Sequence, residues 1–165
     1  MQPRVRSATP ADVPGVRRVA SRGWRAAYGD IMSAETVEEA LSEHYTPAEV
    51  ERAVTAEDAV YLVAVAGGRV IGYTSGSNSE HGPGAELGTI YVDPDWGGEG
   101  VGTALFDELR ARLRQRGFER VRAVVLAENE AGLPFYRRHG FEQVDEHEEV
   151  VGDESHRALV VAREL

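Results

Sequence analysis

The chain has 165 residues and no cysteine, which excludes structural disulfides and thiolate metal centres. Its 28 acidic residues outnumber 18 basic ones, for a net charge of −10, and a general nucleic-acid binder would need a basic footprint instead. No apolar run approaches a membrane span, so neither nucleic acid nor membrane is expected as a partner.

The opening "MQPRVRSATPADV" shows no secretory leader, and a cytoplasmic location is expected. "RVRS" (4–7) reads as a first strand, and "TPAD" (9–12) as a capping box with proline at the first helical position. Val13, Val16, Ala20, Trp24 and Ala27 then recur at helical spacing, up to Gly29. Ser33 caps a short helix around Glu35–Glu43, and "TPAE" (46–49) starts another.

In "AVYLVAVAGGRVIGYTSGS", two β-rich runs flank Gly67-Gly68, a hairpin signal. "SEHGPG" (79–84) is a loop, and "AELGTIYVDP" (85–94) a strand stopped by Pro94. Val101, Leu105, Leu109 and Leu113 form one buried stripe of a helix that ends at Gly117. "VRAVVLA" (121–127) reads as a buried strand, so strand, helix and strand imply a parallel pair joined by a crossover. "NEAGLPFYRRHGF" (129–141) is a short helix, and strands near 142–150 and 156–164 close the chain as a hairpin. The expectation is a single α/β domain over 1–165, with a mixed sheet of about seven strands and four to five helices.

The glycine loop "WGGEGVGTAL" (96–105) is the part of the chain richest in chemistry. A Walker loop needs Lys, and all eighteen basic residues here are Arg. A dinucleotide fingerprint fails at Thr103, where its third glycine belongs. A tight strand-to-helix turn with no ligand is the plain alternative. The order "ELGTIYVDP", then "GGEGVGTAL", then Asn129, Tyr136, Gly140 and Phe141 resembles the GNAT superfamily of acetyl-CoA-dependent N-acetyltransferases. The early "GWRAAYGDIM" (23–32) is similar to small members of that superfamily. One departure is plain: Gly97 stands where the family loop carries Arg or Gln.

The resemblance implies a centrally splayed sheet with acetyl-CoA, as cosubstrate, between the strand ending near Val92 and the one ending near Ala127. Gly98, Gly100, Val101, Gly102 and Thr103 would then hold the pyrophosphate by backbone amides, at the positive end of the following helix. Backbone groups of Ile90, Tyr91 and Val92 would pair with the pantetheine arm and polarise the thioester carbonyl. Asn129 would anchor the cofactor arm or cap its helix. Tyr136 is the family's position for the acid that protonates the departing thiolate; the plain alternative is an aromatic core residue, but a buried Tyr needs a partner for its hydroxyl, which favours the acid. Glu86 is a candidate base or an edge-strand charge, with Tyr91 as an alternative base. Arg137 or Arg138 could reach the 3′-phosphate or simply face solvent.

The acceptor side offers Trp24, Tyr28, Glu35, Glu38, Glu39 and Tyr45, which suit a cationic amine: a polyamine, a peptide N-terminus, a Lys side chain or an aminosugar. His44, His81, His139, His147 and His156 show no metal spacing, so no metal is expected. A homodimer is left open. The rival to a catalyst is an acyl-CoA-binding module without turnover, motivated by Gly97. Absence of Lys fits a GC-rich genome, and the acidity adds a salt-loving source as a second reading.

Overall fold

A computed structural model of the chain describes residues 3–80 and 82–165; His81 lies outside them. Among the described residues seven strands and five α-helices follow in the order β1 (Arg4–Ser7), α1 (Val13–Tyr28), α2 (Ala34–His44), α3 (Pro47–Thr55), β2 (Ala59–Ala66), β3 (Arg69–Asn78), β4 (Ala85–Val92), α4 (Val101–Gln115), β5 (Arg120–Leu126), α5 (Gly132–Arg138), β6 (Glu142–Val151) and β7 (Glu154–Glu164). The sheet order is β1-β2-β3-β4-β5-β7-β6. Its pairs are antiparallel except β4 with β5, as the strand–helix–strand pattern requires.

Two differences from the sequence expectations have local causes. The "TPAD" turn is 3₁₀ rather than the first turn of α1 (Val13–Tyr28). Its Asp12 accepts from the Thr9 N–H at 2.8 Å, but the same carboxylate also binds Arg6 at 2.8 Å, tying the turn to β1. The helix expected from residue 129 begins only at Gly132. Asn129 is therefore not its N-cap, but its Oδ1 accepts from the Gly132 N–H at 2.9 Å and closes the turn that leads into the helix. The other signals coincide with element ends: Ser33 and Thr46 accept from Thr36 and Glu49 N–H at 3.1 Å, and Gly67 and Gly68 adopt the positive φ of a tight hairpin.

Two apolar layers sandwich the middle of the sheet. On one face α4 buries Val101, Leu105, Phe106, Leu109 and Leu113 against Leu62, Ile71, Leu87, Val121 and Ala123. On the other, α1 buries Val13, Val16, Val19 and Ala20 against Val63, Val70 and Tyr73. Gly23 lets α1 approach β4 closely: a Cβ there would stand 2.9 Å from the Tyr91 ring. No helix among the described residues is long and apolar enough to cross a membrane.

Candidate active site

Strands β4 and β5 pair only from Ala85–Leu87 against Val121–Ala123, although β4 continues to Val92 and β5 to Leu126. The cause is local to β4. Its register against β3 shifts between Ser75 and Gly76, so Gly88 is an extra, bulged residue. A bulge bends and twists its strand, and here the two parallel strands part just beyond it. Backbone groups of Ile90, Tyr91 and Val92 thus pair with β3 on one side only. An extended, amide-bearing ligand fits such an open edge.

At the wide end of the splay the chain runs through Pro94–Trp96 into the glycine loop. Gly98 and Gly100 have φ of 76° and 80°, and nothing lies within 4 Å of where their Cβ atoms would be. Gly100 is the N-cap of α4, so no side chain caps the helix's first amides. Gly102 serves closeness instead: its Cβ would come 3.0 Å from the Phe135 ring. Backbone N–H groups of Val101, Gly102 and Thr103, a helix dipole and an open concave turn together suit a phosphate. Glu99 is exposed. Asp93 is buried and anchors the loop: it caps Asp95 N–H at 3.0 Å and binds Arg18 at 2.9 Å and Arg22 at 3.2 Å. Arg22 also reaches Asp95 at 3.1 Å. Burial works against the Asp93 charge, but the Asp95 amide and the two guanidinium groups outweigh it and hold its pKa below the ordinary value.

Asn129, just after β5, and Tyr136, on α5, are both buried. Burial pushes the Tyr136 phenol well up, with the neighbouring Tyr28 adding to the shift. Tyr28, the last residue of α1, meets Tyr91 of β4 hydroxyl to hydroxyl at 3.3 Å. Burial also raises Tyr28, while hydrogen bonding to Tyr91 and Asn129 pulls it back. Tyr28 thus links Tyr91 of β4 to Asn129 after β5 by hydrogen bonds, and the Tyr136 phenol lies close enough to feel the Tyr28 charge. Trp24 packs edge-on against Tyr28 at 4.8 Å and extends this wall towards Tyr45 at 6.5 Å. Tyr45 in turn bonds Tyr73 hydroxyl to hydroxyl at 3.0 Å, a link that sequence spacing did not suggest.

Glu86 lies apart from this group, at the closed end of the pair, 3.6 Å from Arg122 of β5. Of the acids on α2, Glu38 pairs with Arg25, whereas Glu35 and Glu39 line an acidic hollow of about 490 Å³ with Glu43 and Asp153. Arg137 and Arg138 are both exposed. Among the described residues no cluster of His, Asp and Glu could hold a metal.

The profile of the acetyltransferase (GNAT) family matches residues 24–141, a span that runs from Trp24 through the splay and loop to Phe141. The chain belongs to this family. A GNAT protein of known structure, the paiA N-acetyltransferase from Thermoplasma acidophilum crystallised with coenzyme A, superposes with a TM-score of 0.88. That superposition covers 100% of both chains at 22% identity, so what the two share is the fold. The spermidine N(1)-acetyltransferase of Thermoplasma acidophilum is 26% identical over 145 residues, 86% of this chain and 89% of that protein. An uncharacterised N-acetyltransferase of Methanocaldococcus jannaschii is 35% identical over 88 residues, 50% of this chain but only 39% of that longer protein.

Proposed function

We propose that the chain is an acetyl-CoA-dependent N-acetyltransferase that moves the acetyl group directly from the thioester to a primary amine. The observation that carries this reading is the splay, open at Ile90–Val92 and flanked by an uncapped α4 and by Tyr136. Gly98–Thr103 would hold the diphosphate, the β4 edge and Asn129 the pantetheine arm. When bound, acetyl-CoA supplies an activated acyl carbon.

The chain's own residues then do three things. The β4 backbone beyond the bulge orients the carbonyl and offers an N–H to its oxygen. The Tyr136 hydroxyl stays protonated at neutral pH, because burial disfavours the phenolate, and gives its proton to the sulfur. Glu86 is our candidate for taking the surplus amine proton; because it lies at the closed end of the pair beside Arg122, the proton has to reach it along a chain of waters rather than directly. Trp24 and Tyr28 form the acceptor wall.

A cationic primary amine suits aromatic faces and the acidic surface of α2. A polyamine is our first choice, because the spermidine acetyltransferase resembles this chain along nearly its whole length. Thiol release from acetyl-CoA with a panel of polyamines, aminosugars, Lys-containing peptides and peptide N-termini tests the reading. Turnover with at least one amine is expected, with spermidine first among them. Binding of acetyl-CoA without turnover on any amine would instead mark an acyl-CoA-binding module.

A further inference from the structure

A diphosphate approaching the glycine loop meets an acidic stretch. Asp93, Asp95 and Glu99 precede α4, and position 97 carries no cation. Arg18 and Arg22 reach over from α1, but Asp93 and Asp95 take up their charge at 2.9–3.2 Å. The opposite flank of the loop is different. There the His139 imidazole, at the end of α5, lies against the first turn of α4, with Nε2 3.2 Å from Thr103 Oγ1. Its ring packs on Phe135 at 4.4 Å and Phe106 at 5.1 Å, and Phe135 is the ring that abuts Gly102. The end of α5 is thus a wall of the same loop.

Thr103 has a single hydroxyl proton. A neutral imidazole that accepts at Nε2 takes it, which leaves Oγ1 lone pairs facing outward. A protonated imidazole donates to Oγ1 and frees that proton to point at a phosphate oxygen. We propose that His139 is the titrating cation of this loop, beside the fixed charges of Arg138 and Arg163: it takes up one proton from solvent as the CoA diphosphate docks, and through Thr103 turns a hydroxyl donor towards it. This rests on the acetyl-CoA reading given above.

The groups that face the ring are Thr103 and Asp107 from α4, Arg138 from α5 and Arg163 from β7. Arg163 Nη1 also donates to the His139 carbonyl at 2.5 Å. Burial holds the free imidazole below its ordinary value; Asp107 opposes this, and Arg138 and Arg163 add to it. The ring is therefore mostly neutral above pH 7 in the free protein, and a neighbouring diphosphate favours the charged form. Affinity for CoA is highest below both the free and the bound pKa. It declines between them and levels off above the bound one, and each unit of upward shift corresponds to about a tenfold change.

Calorimetric titration of the full chain with CoA at pH 7.5, in buffers of different ionisation enthalpy, reads the protons taken up. We expect a clear fractional uptake and an affinity that weakens about tenfold between pH 6 and pH 8.5. Dephospho-CoA, which lacks the 3′-phosphate that itself titrates near neutrality, keeps the uptake. In His139→Gln the amide still reaches Thr103 but cannot titrate, so uptake vanishes and the pH slope flattens. Thr103→Val severs the link and reduces both uptake and affinity. Buffer-independent heats for wild type, uptake seen only with CoA and not dephospho-CoA, or uptake unchanged in His139→Gln would each overturn the proposal while leaving the family's cofactor reading in place. Failure of CoA to bind at all would remove both.

Discussion

Replacing Asp93 with Asn tests how the loop is anchored. The carboxylate side chain is only 5% exposed and binds Arg18 at 2.9 Å, Arg22 at 3.2 Å and the Asp95 amide at 3.0 Å. Asn keeps one carbonyl acceptor for the amide but turns an NH₂ towards a guanidinium and removes the charge. Breaking a fully buried ion pair by neutralising one partner costs about 3–5 kcal/mol. Here the arginine side chains are 28% and 42% exposed, so water recovers part of that, and we expect a loss of about 2–3 kcal/mol. For a chain of this size that lowers Tm by about 5–10 °C. Urea unfolding at pH 7 measures it, with Glu49→Gln as the control, because the Glu49–Arg52 pair is exposed and its loss should cost under about 0.5 kcal/mol. The pH dependence has a definite sign. The folded pKa of Asp93 is depressed, so its contribution is fully present above the unfolded value near 4 and is lost as pH falls through the folded one. The gap between wild type and Asp93→Asn must therefore narrow on acidification below about pH 4. A variant as stable as the Glu49→Gln control, or a gap that widens in acid, would refute the reasoning.

Tyr136→Phe keeps the buried ring and removes the proton; we expect turnover to fall about a hundredfold or more with CoA affinity unchanged, as read by steady-state rates and calorimetry. Unaltered turnover would return Tyr136 to the core. Glu86→Gln should give a rate loss that shrinks as pH rises and the free amine deprotonates unaided, and a loss independent of pH would make Glu86 a structural partner of Arg122. Glu99→Gln should tighten acetyl-CoA in dilute buffer and change little at 1 M salt, where the Debye length is about 3 Å; equal affinities at both salts would show that Glu99 does not act on the diphosphate.

Much of the fold was legible because its signals are local. The Ser33 and Thr46 caps, the Gly67-Gly68 hairpin and the four-residue spacing from Val101 to Leu113 each depend on neighbours a few positions away. The splay was less visible. The bulge at Gly88 interrupts a strand whose apolar alternation looks continuous, and only the register against β3 reveals the extra residue. Asn129 was recognisable as important, yet the helix begins three residues later because its side chain closes a turn first. Contacts between distant parts of the chain left no trace in spacing. Arg18 and Asp93 lie 75 residues apart, Thr103 and His139 36, and Tyr28 and Tyr91 63. His139 therefore read as one of several scattered histidines, although it touches Thr103 at the end of the loop.

The acidity of the loop and its suitability for an anion are compatible once each carboxylate is followed to its partner. Asp93 and Asp95 face Arg18 and Arg22, two charges against two, so this part of the loop presents little net charge. It presents order instead, since the same contacts set where the backbone turns at Gly98 and Gly100. Glu99 keeps a full charge but is exposed, where water and salt weaken its field. The α4 amides and their dipole, equivalent to about half a positive charge, remain the nearest fixed potential at the open turn. A cation at position 97 would sit on the exposed side of that turn, beside Glu99, and would act through solvent. A cation at the end of α5 acts instead from a ring already held by Phe135 and Phe106, in direct contact with Thr103 of the first helical turn. Glycine at 97 is thus consistent with a site whose specificity lies in backbone geometry and whose charge is supplied from the far wall.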